Sequence, residues 1–322
     1  MHLALDGVAL HLPATAVFAS LADLCFESIK FPSGSSHLLL RLVSSACCPH
    51  LQRLQLRKIS VTALSELLLE ASALLELYCE DIHDMRFLEL RTPSLKILHV
   101  TGCYSLVGLT VSAPRLEELE FLVQHHLHID TNGDDKNDSS IHLLECCRLI
   151  RCLQVQKFEQ RKKQYVDIIK SWIIPQLPHV TSLTVRVTLW SPHSYAAGVA
   201  SLLAQCKSIR YLSLQLCCCF IKTKKLVLSC DKSSQWKSHE LSLAHVQEAE
   251  FKKLIGTADE LQFIQFILTR ASGIQKVAVS FNRDYWSKCS EEDGFKALPS
   301  VAGGSWTTCN IAYLSYEWTR YV

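Results

Sequence analysis

One phrase recurs along this chain and constrains its fold more than any other feature. It is an apolar residue, two variable residues, a second apolar residue, one variable residue and a third apolar residue. It reads Leu51-Gln-Arg-Leu54-Gln-Leu56, Leu74-Leu-Glu-Leu77-Tyr-Cys79, Leu95-Lys-Ile-Leu98-His-Val100 and Leu116-Glu-Glu-Leu119-Glu-Phe121. Later copies are Ile150…Leu153-Gln-Val155, Val180…Leu183-Thr-Val185 and Ile209…Leu212-Ser-Leu214, and Leu21-Ala-Asp-Leu24-Cys-Phe26 is a weaker early one. Pro or Ser often stands just before the phrase, as at Pro49, Pro93, Pro114 and Pro178. The chain is 48% apolar, so one or two such phrases could arise by chance; an ordered succession of seven does not.

The phrase is the short strand of a leucine-rich repeat. A single repeat cannot bury its apolar edge, so stacked neighbours share one core and leave a concave face free for binding. The expected fold is therefore α/β: a leucine-rich-repeat solenoid with a curved parallel sheet on the concave face and helices or loops on the convex face. The phrase opens at Leu51, Leu74, Leu95 and Leu116, a spacing usual for this repeat class, and then at Ile150, Val180 and Ile209, where the returns are longer. The longer returns leave room for helices, and 165–174 and Ala196–Cys206 carry apolar residues at helical spacing. His37–Ala46 is the helix expected before Leu51.

Within each phrase the apolar residues point inward and the alternate ones outward. The outward set is Arg53, Gln55, Arg57; Glu76, Tyr78, Glu80; His99, Thr101; Glu118, Glu120; then Gln154, Gln156; Ser182, Thr184, Arg186; Tyr211, Ser213, Gln215. Most of these read as ordinary solvated strand residues. Glu76, Glu80, Glu118 and Glu120 fall close together across successive repeats, and a cluster of one sign favours a basic partner. The expected partner surface is Glu76, Tyr78, Glu80, His99, Glu118 and Glu120, centred on Tyr78, whose ring and hydroxyl suit an interface anchor.

Composition narrows the function further. The formal net charge is +2, with no general push toward nucleic acid or membrane. Fifteen cysteines occur, an odd number that clusters as neighbours (Cys47-Cys48, Cys146-Cys147, Cys217-Cys218-Cys219), and no Cys-x-x-Cys clip is present. They read as core filling in a reducing compartment, cytoplasmic or nuclear. Gly7–Ala22 is apolar, yet no Lys or Arg precedes Lys30, so no signal peptide is expected. No stretch supplies the ~20 consecutive apolar residues of a membrane span.

Catalytic and metal-binding patterns are incomplete wherever they begin. Asp130-Thr-Asn132-Gly-Asp134 opens like a calcium loop, but Asp135 stands where the turn needs Gly and Ile141 where a bidentate Glu belongs. His125, His126 and His128 lie beside Asp130 without a distant partner to complete a ligand set. There is no Gly-rich phosphate loop and no Gly-x-Ser-x-Gly elbow. No enzyme, metal or cofactor is expected.

Two passages give the chain a family likeness. One is the repeat set, above all Leu90-Arg-Thr-Pro-Ser-Leu-Lys-Ile-Leu-His-Val-Thr-Gly-Cys103 and Val111-Ser-Ala-Pro-Arg-Leu-Glu-Glu-Leu-Glu-Phe121. The other is Leu243-Ala-His-Val-Gln-Glu-Ala-Glu-Phe251, Gly256, Glu260-Leu-Gln-Phe-Ile-Gln-Phe-Ile-Leu268 and Ala271-Ser-Gly-Ile-Gln-Lys-Val-Ala-Val279. Together they resemble plant F-box/leucine-rich-repeat proteins that end in an FBD domain. The polar breaks at 130–140 and 230–239 and the resemblance, which covers most of 1–282, give repeats over 1–229 with a polar insertion at 130–140 and an FBD-like strand–helix–strand unit over 230–282 that closes the solenoid; 283–322 departs from the family pattern and is expected as a divergent or disordered tail. The resemblance also implies a non-catalytic, protein-binding role of the substrate-recognition kind found in cullin-type ubiquitin ligases. The phrase pattern begins at once, without an F-box, so a Skp-type adaptor is expected as partner only if an F-box is supplied upstream. The alternatives are a hormone-sensing or small-ligand repeat receptor, for which Arg53 and Arg57 are the obvious basic residues, and a truncated competitor or non-functional fragment of a full-length relative.

Overall fold

The structure is a computed structural model that describes residues 2–6, 17–31, 36–61, 66–123, 128–130, 140–143, 149–158, 176–189, 195–218, 235–282, 292–303, 305–312 and 315–320. It is mixed α/β, dominated by parallel sheet with few helices. Two compact units divide the chain, Met1–Arg151 and Cys152–Val322, whereas the sequence pattern suggests a boundary at 229/230.

In the first unit the chain runs through β1 (His2–Asp6), β2 (Asp23–Glu27), β3 (Lys30–Phe31), helix α1 (Ser36–Val43), β4 (Arg53–Arg57), β5 (Ser60–Val61) and β6 (Glu66–Glu70). It continues through β7 (Glu76–Glu80), β8 (Phe87–Arg91), β9 (Ile97–Thr101), β10 (Gly108–Ser112), β11 (Glu118–Val123), β12 (His128–Asp130) and β13 (Ser140–Leu143). Here β1, β2, β4, β7, β9 and β11 lie side by side in parallel, and from β2 onward they are the recurring phrases in sequence order. A second parallel sheet has the order β12-β13-β10-β8-β6, and β3 pairs with β5.

That second sheet corrects one expectation. The closely spaced copies between Leu51 and Leu116 return through strands, where the sequence pattern suggests helices or loops. The apolar columns of the returns recur in step with the phrases: Leu67, Leu88 and Leu109; Leu69, Leu90 and Val111; Ile82 and Cys103; Met85 and Leu106, all at most 4% exposed. The inward residues of the phrases are buried to the same degree, from Leu51, Leu54 and Leu56 through Leu116, Leu119 and Phe121, none above 1%. Each column stacks one copy's side chain on the next, so the core is shared along the stack.

The Pro or Ser before each phrase has a local cause. Leu51 N–H donates to Cys48 C=O, Leu74 to Ala71, Leu95 to Thr92 and Leu116 to Ala113, at 3.0 to 3.4 Å. Each is a four-residue turn whose second position is Pro49, Ser72, Pro93 or Pro114, where proline's fixed φ suits the turn. The exit from each phrase is equally regular. Ser28, Lys58, Asp81 and Gly102 all have φ between 52° and 65°. The N–H of the first three donates to the last strand carbonyl of the following copy, Arg57, Glu80 and Thr101, at 2.9 to 3.0 Å. The parallel ladder therefore continues through the corner. A Cβ on Gly102 would meet Asp81 Oδ1 at 2.0 Å, so any side chain there must displace the Asp81 carboxylate as well as hold a left-handed φ.

In the second unit the order is β14 (Cys152–Phe158), β15 (Ser182–Leu189), helix α2 (Tyr195–Gln205), β16 (Tyr211–Cys218), β17 (Glu248–Leu254), helix α3 (Ala258–Leu268) and β18 (Lys276–Phe281). Then come the short helices α4 (Glu292–Lys296) and α5 (Leu298–Val301) and the strands β19 (Trp306–Ala312) and β20 (Ser315–Arg320). Strands β14 to β18 are parallel neighbours in sequence order. The expected FBD-like segment therefore extends the same sheet as the repeats of this unit. The tail, expected as a divergent cap or an unstructured end, supplies β20, antiparallel to β18, and β19 beyond it. Helices α2 and α3 match the segments with helical spacing; 165–174 lies outside the described residues.

Helix α3 starts on a capping box. Thr257 accepts from Glu260 N–H at 3.3 Å, and the Glu260 carboxylate accepts from the N–H groups of Ile255, Gly256 and Thr257 at 2.7 to 3.1 Å. Glu260 is 3% exposed. Burial pushes its carboxyl up, and the three N–H donors pull the other way.

Candidate functional site

Register sets the outward face of the first unit. One row across the strands is Asp23, Arg53, Glu76, and on to Ile97 and Glu118; the next is Cys25, Gln55, Tyr78, His99 and Glu120; a third is Glu27, Arg57, Glu80 and Thr101. The six residues expected as a partner surface thus lie on one face of three adjacent strands. The strand spacing of about 4.8 Å puts their side chains within reach of one another.

Glu76, Tyr78, His99, Glu118 and Glu120 are linked by hydrogen bonds and a ring contact, and Glu80 pairs separately. Arg53 Nε donates to Glu76 Oε2 at 2.7 Å, and the Tyr78 hydroxyl donates to the same oxygen at 3.1 Å. Arg57 pairs with Glu80 at 3.2 Å. The Arg53 guanidinium beside Glu76 holds its carboxyl below the ordinary carboxylate value, and burial followed by the Glu76 contact raises the Tyr78 phenol. His99 stands between two carboxylates, Nε2 at 2.7 Å from Glu118 and Nδ1 at 3.4 Å from Glu120. The Tyr78 ring meets the His99 ring edge-to-face, with centroids 5.0 Å apart. Sequence reasoning groups the carboxylates by sign alone. Across the strand gap, however, Glu76 and Glu80 each face an arginine, and Asp23 and Glu27 face the same arginines from the other side. Four carboxylates flank the two guanidiniums, and Glu118 and Glu120 lie beyond them against His99, so the surface remains acidic.

The corresponding face of the second unit has different chemistry. Its rows are Cys152, Ser182, Tyr211, Glu248, Lys276; then Gln154, Thr184, Ser213, Glu250, Ala278; then Gln156, Arg186, Gln215, Lys252. The Tyr211 hydroxyl donates to Glu250 at 2.5 Å, Lys252 pairs with the same carboxylate, and Lys276 pairs with Glu317 at 3.2 Å. Ser213, expected among the outward residues, is 3% exposed, with its Oγ 3.5 Å from Glu250. Burial, then the hydrogen bond to Glu250, pushes the Tyr211 phenol up to about 12. Burial raises the Glu250 carboxyl, but Lys252 and Tyr211 outweigh it and hold the group below its ordinary value. A groove of about 150 Å³ lies over Ala278, walled by Lys252, Tyr316 and Glu317. That is well short of the roughly 300–1,000 Å³ of a typical small-molecule site.

Among the described residues, no group of three His, Cys, Asp or Glu side chains is placed to hold a metal ion. The calcium-like stretch 131–139 and His125 and His126 lie outside the described residues, and His128 is placed only as part of β12. Cys25, Cys47, Cys48, Cys79, Cys103, Cys152 and Cys206 are free thiols, five of them buried. Burial pushes Cys103 and Cys206 up to about 12, so both remain protonated core residues. No helix among the described residues is long and apolar enough to cross a membrane.

No protein-family model, curated protein or solved structure matches the chain.

Proposed function

We propose that this chain is a non-catalytic protein-interaction scaffold, of the kind that forms the substrate-recognition part of a cullin-type ubiquitin ligase F-box protein. In this reading the stacked strands form a leucine-rich-repeat solenoid closed by an FBD-like unit, and the outward face of β4, β7, β9 and β11 is the concave binding surface. A Skp-type adaptor joins only where an F-box is supplied upstream. One observation carries the reading: Tyr78 and His99 sit half-buried and in ring contact within an acidic, hydrogen-bonded face. A rigid aromatic pair ringed by charge has the composition of an interface centre, with area at low entropy cost and polar groups that set orientation. The receptor alternative draws less support, because Arg53 and Arg57, its candidate ligand-holding residues, already face Glu76 and Glu80.

The test begins with a photocrosslinking amino acid at Thr101, on the same face and outside the network. The captured partner is identified by mass spectrometry, and its affinity is measured against the parent and two variants. Tyr78→Ala is expected to weaken binding by tenfold or more, about the loss typical of an interface anchor. Changing Glu118 and Glu120 together to Lys should slow association and remove its salt dependence. Parent-like affinity and salt dependence in both variants would take this surface out of consideration.

A further inference from the structure

We draw no further inference here: the strongest candidate, the groove of about 150 Å³ over Ala278 on the outward face of the second unit, has both of its charged walls already paired, Lys252 with Glu250 and Glu317 with Lys276, and nothing in the structure shows what covers it.

Discussion

The two units reach the next strand of their sheets by different routes. In the first, β7 joins β9 through 81–96 and β9 joins β11 through 102–117, and each of these stretches contains a second strand. In the second, β15 joins β16 through 190–210 and β17 joins β18 through 255–275, longer stretches that each contain a helix. The connection must run back along the length of the strand it follows. A five-residue strand covers about 17 Å, and an eleven-residue helix covers much the same. In the shorter stretches a strand spans that distance on few residues and leaves the rest for two corners, whereas a helix would consume most of the chain available. Return length therefore selects the return element. The leading copy fits the rule, because 28–52, between β2 and β4, is again a long stretch and holds α1. The two outward faces differ as well: arginine–glutamate pairs and a histidine between carboxylates in the first unit, lysine–glutamate pairs and a tyrosine–glutamate bond in the second.

Leu98→Asp should break this comparison most severely. Leu98 is fully buried between Leu77 and Leu119, and an unpaired carboxylate there costs several kcal/mol, on the order of 4 or more. Chemical denaturation followed by circular dichroism should show a large drop in midpoint. A parent-like midpoint would mean that the phrase does not face the core.

Two glycines sharpen the contrast at a smaller scale. Gly102→Ala must hold a left-handed φ of 65° and displace the Asp81 side chain, which costs about 1–2 kcal/mol. Gly198→Ala, in α2, meets nothing within 4 Å and should gain up to about 1 kcal/mol in helix propensity. Urea midpoints moving in opposite directions are the expected result; movement in the same direction would undo the assignment of corner to one and helix to the other.

The smallest effect is an alkaline one. Tyr211 titrates near 12 in the folded chain against an ordinary 10, so its stabilising contribution is fully present below pH 10 and is lost as pH rises toward 12. The difference in stability between parent and Tyr211→Phe should shrink over that range and be flat below it. A difference that keeps the same size up to pH 12 would mean that neither burial nor the Glu250 contact favours the protonated phenol.

The parts of this fold that are legible in the sequence share a physical property. The phrases combine two buried positions at period two with an entry turn and a regular spacing, and the helices α1, α2 and α3 carry apolar residues over two turns or more. The return strands β6, β8 and β10 offer only Leu67/Leu69, Leu88/Leu90 and Leu109/Val111. Alternation that short does not separate strand from loop until successive copies are compared column by column. The hairpin of β19 and β20 lacks that recurrence altogether. At the candidate site, the expected residues do share one face, since register follows from aligning the phrases. The same alignment places Arg53 and Arg57 opposite Glu76 and Glu80, a pairing available by counting that tallying charge by sign conceals.

Helix α1 has a consequence for the edge of the second sheet. Among the described residues, strand β6 ends the second sheet of the first unit with β8 as its strand neighbour, and an uncovered sheet rim is a template for pairing with another chain. The helix packs against β6, and Ser45 Oγ, just beyond it, accepts from Ser72 N–H at 2.9 Å. The long, helical return of the leading copy thus lies beside the terminal strand of this sheet, where charged, bulged or covered edges are the usual answer to unpaired backbone groups.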